Sequence, residues 1–175
     1  GDDMQTSVPG IYAAGDVTDR DQFVYMAAYG AKLAVKNAVL GDDQRYDNSA
    51  MPWVVFSDPQ IAGVGLSEQQ ARDAGFDVKT SVVPLDQVPR ALAARDTRGL
   101  IKLVADKKTD KLLGGQIIAP EGSDTIQTLV MALKFGMTTK DLGATIFPYL
   151  TTVEGLKLAA QTFDMDVAKL SCCAG

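Results

Sequence analysis

The chain has 175 residues, with 17 Lys+Arg against 22 Asp+Glu, a formal net charge of −5 and 46% apolar residues; these are globular proportions, and they oppose a nucleic-acid backbone or an anionic membrane surface as the main partner. No apolar run approaches the roughly 18 residues needed to span a bilayer, and Gly1 to Gln5 has neither the basic start nor the apolar core of a secretion signal. There is no histidine, which excludes Ser-His-Asp and Cys-His catalysis and imidazole metal sites and leaves carboxylates, hydroxyls, tyrosines and two cysteines to carry any chemistry.

In chain order, Ile11-Tyr12-Ala13-Ala14 reads as a short buried strand that stops at Gly15-Asp16. Apolar residues then recur at helical spacing from Phe23 to Ala38, predicting a helix over 22–40 with Gly41 as its C-cap. Residues 41–49 are polar and turn-like and read as a linker. Trp53 to Phe56 is a strand, Asp58-Pro59-Gln60 a turn, and Ile61 to Gly65 a second strand. Ser67 with Gln70 three residues on forms a capping-box pattern opening a helix that Gly75 ends. Strands follow at about 77–84, 99–105 and 111–118, the last two joined by a polar hairpin loop, Asp106 to Asp110. Helices are expected over 123–135, 138–142 and 151–163. The pattern predicts an α+β fold, an antiparallel sheet flanked by helices, over 50–165. Residues 1–45 hold one strand and one helix, too little for a core of their own, and are expected to be the remnant of a larger α/β domain. Residues 166–175 are expected to be a mobile tail.

Two stretches could carry chemistry. Gly15-Asp16 stands between a strand and a helix, where open α/β sheets bind ligands, although no G-x-G-x-x-G loop is present. The glycine permits close backbone approach and the aspartate can accept hydrogen bonds from ligand hydroxyls; a plain strand end is the alternative. The second stretch is the adjacent pair Cys172-Cys173, the only cysteines in the chain. They form no disulfide framework, and free thiols fit a reducing, cytoplasmic setting. Two thiolates on a flexible tail can capture a soft metal ion and pass it on by ligand exchange. A strained vicinal disulfide, or two incidental thiols, are the alternatives.

The segment Thr6 to Asp16 resembles the second flavin motif of the FAD-dependent pyridine nucleotide–disulfide oxidoreductases. The resemblance implies that Asp16 holds a ribityl hydroxyl of FAD and that Val24, eight residues on, lies against the flavin with its amide near the ring. Phe147 to Gly155 is similar to the segment where most members carry a histidine followed five residues later by a glutamate, the acid–base pair for a dithiol. Here Tyr149 stands at the histidine position and Glu154 keeps the glutamate. A phenol, with an ordinary pKa near 10, does not shuttle protons at neutral pH, but it can donate a hydrogen bond to a thiolate or sit beside a soft metal. A packed tyrosine with a satisfied hydroxyl is the alternative. The resemblance therefore argues against glutathione, lipoamide or trypanothione as substrate.

Further similar stretches are Phe56 to Gln60, Val88 to Ala93, Asp96 to Gly99, and the terminal Ser-Cys-Cys-Ala-Gly. Together with Tyr149 they resemble the branch of the family that reduces Hg(II) to Hg(0) with NADPH through FAD. What this implies is a homodimer in which Cys172 and Cys173 take up Hg(II) and deliver it to the partner subunit. Tyr149 would lie beside the metal, and Glu154 would be a structural remnant of the dyad. The sequence lacks the family's Cys-x4-Cys redox pair and both glycine-rich dinucleotide loops. The expectation is a C-terminal fragment, with residues 1–45 the end of the FAD-binding domain, the NADPH site elsewhere, and no reduction by the chain alone. Phe23, Tyr25 and Met26 would be exposed without the rest of that domain. Two other readings stay open: a thiol–disulfide enzyme with a C-terminal dithiol, and a stand-alone dimerising soft-metal-binding module.

Overall fold

The computed structural model describes residues 1–166, so Cys172, Cys173 and the expected tail beyond Asp166 lie outside the described residues. The chain divides into two compact units, Gly1–Asn48 and the part from Ser49 onward. Among the described residues no helix is long and apolar enough to cross a membrane.

In the first unit the strand expected at 11–14 is absent. Tyr12 forms a single antiparallel bridge with Gln5, flanked by the Thr6 amide on the Ile11 carbonyl at 2.8 Å and the Ala13 amide on the Met4 carbonyl at 3.0 Å. A strand needs a partner of its own length, and the partner here ends at Met4, whose left-handed backbone (φ 68°) stops the ladder. A 3-10 turn follows at Asp16–Thr18. Helix α1, Val24–Val35, buries Met26, Gly30 and Leu33 at the i, i+4, i+7 spacing of one helical face. It runs on as π-helix through Lys36–Leu40 and ends at left-handed Gly41 (φ 70°). Met26 is 7% exposed, not exposed as expected, because it lies on that inner face. Tyr25 is exposed and stacks on Phe23 at 5.3 Å.

Residues 42–48 lie along this unit. The buried Asn37 amide donates to the carbonyls of Asp3 and Gln44, both at 2.9 Å, and accepts from the Gln44 amide at 3.0 Å. Tyr46 donates to Asp21 at 3.1 Å and lies under the Arg20 guanidinium at 5.1 Å. Burial, reinforced by the hydrogen bond to Asp21, pushes the Tyr46 hydroxyl up to about 12.

The second unit is built on five strands: β1 Pro52–Val55, β2 Gln60–Gly65, β3 Val78–Pro84, β4 Leu100–Asp106 and β5 Leu112–Ala119. Their order is β1-β2-β5-β4-β3, every pair antiparallel. Helices α2 Glu68–Asp73, α3 Pro89–Ala94, α4 Gly122–Lys134, α5 Thr139–Ala144 and α6 Glu154–Gln161 complete it. Alternate strand residues, among them Ala62, Val64, Val83, Ile101, Leu103 and Ile117, join Ile126 and Leu129 of α4 and Leu156 and Ala159 of α6 in one core. Ser81 donates to the Ala159 carbonyl at 2.6 Å and ties α6 to β3. On the opposite face α2 covers Val78 and Val104 with Ala71. Trp53 lies on its cross-strand partner Gly63, where an added Cβ would meet the indole at 2.5 Å.

The expected capping box at Ser67 and Gln70 is present. Helix α3 was not expected; Pro89 at its first position sets the helical φ that starts it.

Candidate functional site

The loop between α5 and α6 carries Tyr149, and Glu154 follows it at the start of α6. Tyr149 is 61% exposed, whereas Glu154, the first residue of α6, is 3% exposed. The Glu154 carboxylate accepts from the Leu150 amide at 3.1 Å. Thr151 accepts from the Glu154 amide at 3.3 Å and donates to the Pro148 carbonyl at 2.8 Å. Leu150 is left-handed (φ 63°), a conformation unfavourable for a residue with a β-carbon. A buried carboxylate at a helix N-terminus is favoured by the helix dipole and needs the hydrogen bonds it receives. Next in the chain, Thr152 donates to Glu121 at 2.8 Å, and Glu121 pairs with Arg90 at 3.6 Å. Glu121, at the start of α4, therefore joins this loop through Thr152 to Arg90 of α3.

Asp16 and Val24 lie in the first unit. Asp16 opens the 3-10 turn directly after left-handed Gly15 (φ 79°). A Cβ on Gly15 would lie 3.1 Å from that of Ala27, so the glycine lets the turn approach α1 closely. Asp16 is exposed, and Val24 is 85% exposed at the start of α1.

The stretches singled out around Asp58 and Asp96 come together. Arg98 pairs with Asp58 at 2.9 Å and with Asp96 at 2.7 Å, joining the β1–β2 turn to the loop before β4. Hydrogen bonds from Arg98 hold the Asp96 carboxyl down at about 2. A second cluster shows in the sequence only as the i, i+4 spacing of Glu68 and Arg72. Glu68 accepts from Lys102 at 2.7 Å and from Arg72 at 2.8 Å, and these bonds, that to Lys102 foremost, hold its carboxyl at about 2. The register of the sheet, which sets Lys102 near α2, adds the third member. Helix α4 turns Met131 outward and ends at Phe135, exposed in turn. Among the described residues no group of three Asp, Glu, His or Cys could hold a metal ion. Cys172 and Cys173, the predicted metal ligands, lie outside the described residues.

Comparison with known proteins places this geometry. Residues 51–160 match the model for the pyridine nucleotide-disulphide oxidoreductase dimerisation domain. The mercuric reductase of Bacillus cereus is 55% identical over 174 residues, 99% of this chain and 28% of that protein. Those of Staphylococcus aureus and Streptomyces lividans are 52% and 49% identical over 98% of the chain and 31% and 36% of their own lengths. The chain thus spans about a third of the curated relatives it matches. LpdA of Mycobacterium tuberculosis superimposes with a TM-score of 0.85 at 26% identity, covering 94% of this chain and 36% of LpdA. The HOCl-induced flavoprotein disulfide reductase RclA of Escherichia coli does so with 0.81 at 29% identity, over 92% and 37%. The antiparallel sheet with its helices, the match over 51–160 and these likenesses agree: the chain belongs to the pyridine nucleotide–disulphide oxidoreductases and contains their dimerisation domain.

Proposed function

We propose that this chain serves as the C-terminal part of a cytoplasmic mercuric reductase, a homodimer that reduces Hg(II) to Hg(0) with NADPH. The observation that carries the reading is about 50–55% identity to mercuric reductases across nearly the whole chain. Tyr149, exposed on a braced loop where a proton shuttle would need an imidazole, supports a metal rather than a disulfide substrate.

Cys172 and Cys173 capture Hg(II) as thiolates and release it by ligand exchange. Tyr149 offers a hydroxyl that donates to a metal-bound thiolate without competing for protons at neutral pH. The first unit fits a flavin: Asp16 is an exposed carboxylate able to accept from a ribityl hydroxyl, and Val24 is exposed at the first position of α1. FAD, when bound, supplies the two-electron relay between NADPH and the metal. No glycine-rich dinucleotide loop is present in these 175 residues, so the NADPH site belongs to another part of the enzyme. The dimer is supported by the dimerisation-domain match and by the outward Met131 and Phe135 of α4.

The test is a chimera in which this chain replaces the matching segment of the Bacillus cereus enzyme. It should evolve Hg(0) with NADPH, and the Cys172→Ala/Cys173→Ala double variant should lose Hg(II) uptake at low metal. The reduced 175-residue chain alone should bind one Hg(II) without reducing it. Unchanged Hg(II) affinity in the double variant would overturn the capture role.

A further inference from the structure

We propose that Glu154 is a positioning residue for Tyr149 that works as a hydrogen-bond acceptor on the backbone, not as an acid–base partner. This deepens the mercury reading above and rests on it.

The argument is geometric. Tyr149 is flanked by two peptide groups, and each has one atom pinned. The carbonyl of the Pro148–Tyr149 peptide accepts from the Thr151 hydroxyl, and the amide of the Tyr149–Leu150 peptide donates to the Glu154 carboxylate. The two pins are themselves connected, since Thr151 also accepts from the Glu154 amide. Pro148 restricts its own φ besides. These two peptide groups fix where the Tyr149 Cα–Cβ bond points, and with it the directions open to the phenol. That backbone passes through Leu150 in the left-handed region, which has to be held by something outside the residue. Glu154 is the group that holds it, and its burial keeps water from competing for the bond. A carboxylate retained without a histidine thus has work that needs only an acceptor oxygen.

The prediction follows from the chemistry of the replacement. In the chimera, Glu154→Gln keeps an acceptor and should retain Hg(II)-dependent NADPH oxidation within about twofold. Glu154→Ala removes it and should lower kcat about tenfold with KM little changed. In a Tyr149→Phe background Glu154→Ala should cost nothing further, since both changes act on one unit. In the 175-residue chain, exchange of the Leu150 amide should accelerate about tenfold in Glu154→Ala and stay slow in Glu154→Gln. Thr151→Val, which removes the other pin, gives a second variant with the same expected loss if Glu154→Ala does not fold. Equal losses in Glu154→Gln and Glu154→Ala, or losses that add to that of Tyr149→Phe, would overturn the proposal. Full turnover in Tyr149→Phe would instead overturn the role of Tyr149 in the mercury reading, while the Leu150 exchange result judges the bracing by itself.

Discussion

The unit from Ser49 onward closes five strands and the helices α3 to α6 around one apolar core, with Val64, Ile101, Leu103, Leu129 and Leu156 fully buried. The unit Gly1–Asn48 has one long helix, one bridge and few buried apolar side chains, and Asn37 and Tyr46 join its pieces by hydrogen bonds. One is held mainly by area removed from water, which is non-directional and tolerant of detail. The other depends on a handful of directional bonds, each strong only while its geometry and its exclusion of water last. The same difference separates the two kinds of candidate site. Tyr149 is carried on a braced loop of the first kind of unit, Asp16 and Val24 on exposed turns of the second.

The largest expected effect is in the sheet unit. Leu129→Ala should cost about 3 kcal/mol, because α4 is held on β1, β2 and β5 and cannot collapse onto the cavity. That corresponds to a shift of about 10 °C in the melting temperature. Leu33→Ala in the first unit should cost less, about 2 kcal/mol, since its surroundings are less completely filled. Equal losses in calorimetry would break the comparison.

Asn37→Ala should come next, at about 2 kcal/mol, by leaving the Asp3 and Gln44 carbonyls and the Gln44 amide without their partner. The effect should be local. Amides of α1 and of 42–46 should exchange about thirtyfold faster while those of β4 and β5 keep their rates, as measured by hydrogen exchange. Acceleration in the sheet as well would show that the two units share one unfolding step.

The sheet unit was largely legible because periodicity encodes burial. The alternation over residues 81–84 of β3 and 100–103 of β4, the capping box at Ser67 and the Gly41 stop all follow from residue type and spacing. Residues 11–14 misled for the complementary reason: an apolar tetrapeptide specifies a tendency, and whether a ladder forms depends on a partner, here cut short at Met4. Asp58 and Arg98 were visible as stretches but not as a pair, since forty residues separate them. The spacing of Tyr149 and Glu154 was visible through resemblance alone. That Glu154 turns to a backbone amide was not, because it depends on left-handed Leu150, which no rule assigns to a leucine.

The smallest effects are those of pH, and they should separate the units by sign. In the sheet unit the carboxyls of Glu68 and Asp96 sit at about 2, against ordinary values of 4.5 and 3.8, chiefly through hydrogen bonds from Lys102 and Arg98. Burial works against Asp110, but bonds from Lys79 and Thr139 win and its carboxyl too is lowered. A lowered folded value means that the unfolded chain takes up protons first. The stability these groups give is present above about 4.5 and fades as pH falls toward 2, by small amounts because most of them face water. Tyr46 behaves oppositely. Its hydroxyl is raised from 10 to about 12, so the unfolded chain loses its proton first, and the stability is whole below pH 10 and fades toward 12. The single tryptophan, Trp53, lies on the sheet and reports its acid limb; phenolate absorbance reports the alkaline limb. Tyr46→Phe should remove part of the alkaline loss in α1 and leave the acid transition at Trp53 unchanged. Arg98→Ala should move the acid transition upward and leave the alkaline one alone, because it returns Asp96 toward an ordinary carboxyl. A shift of both limbs by either variant would mean that directional bonds in one unit are felt in the other.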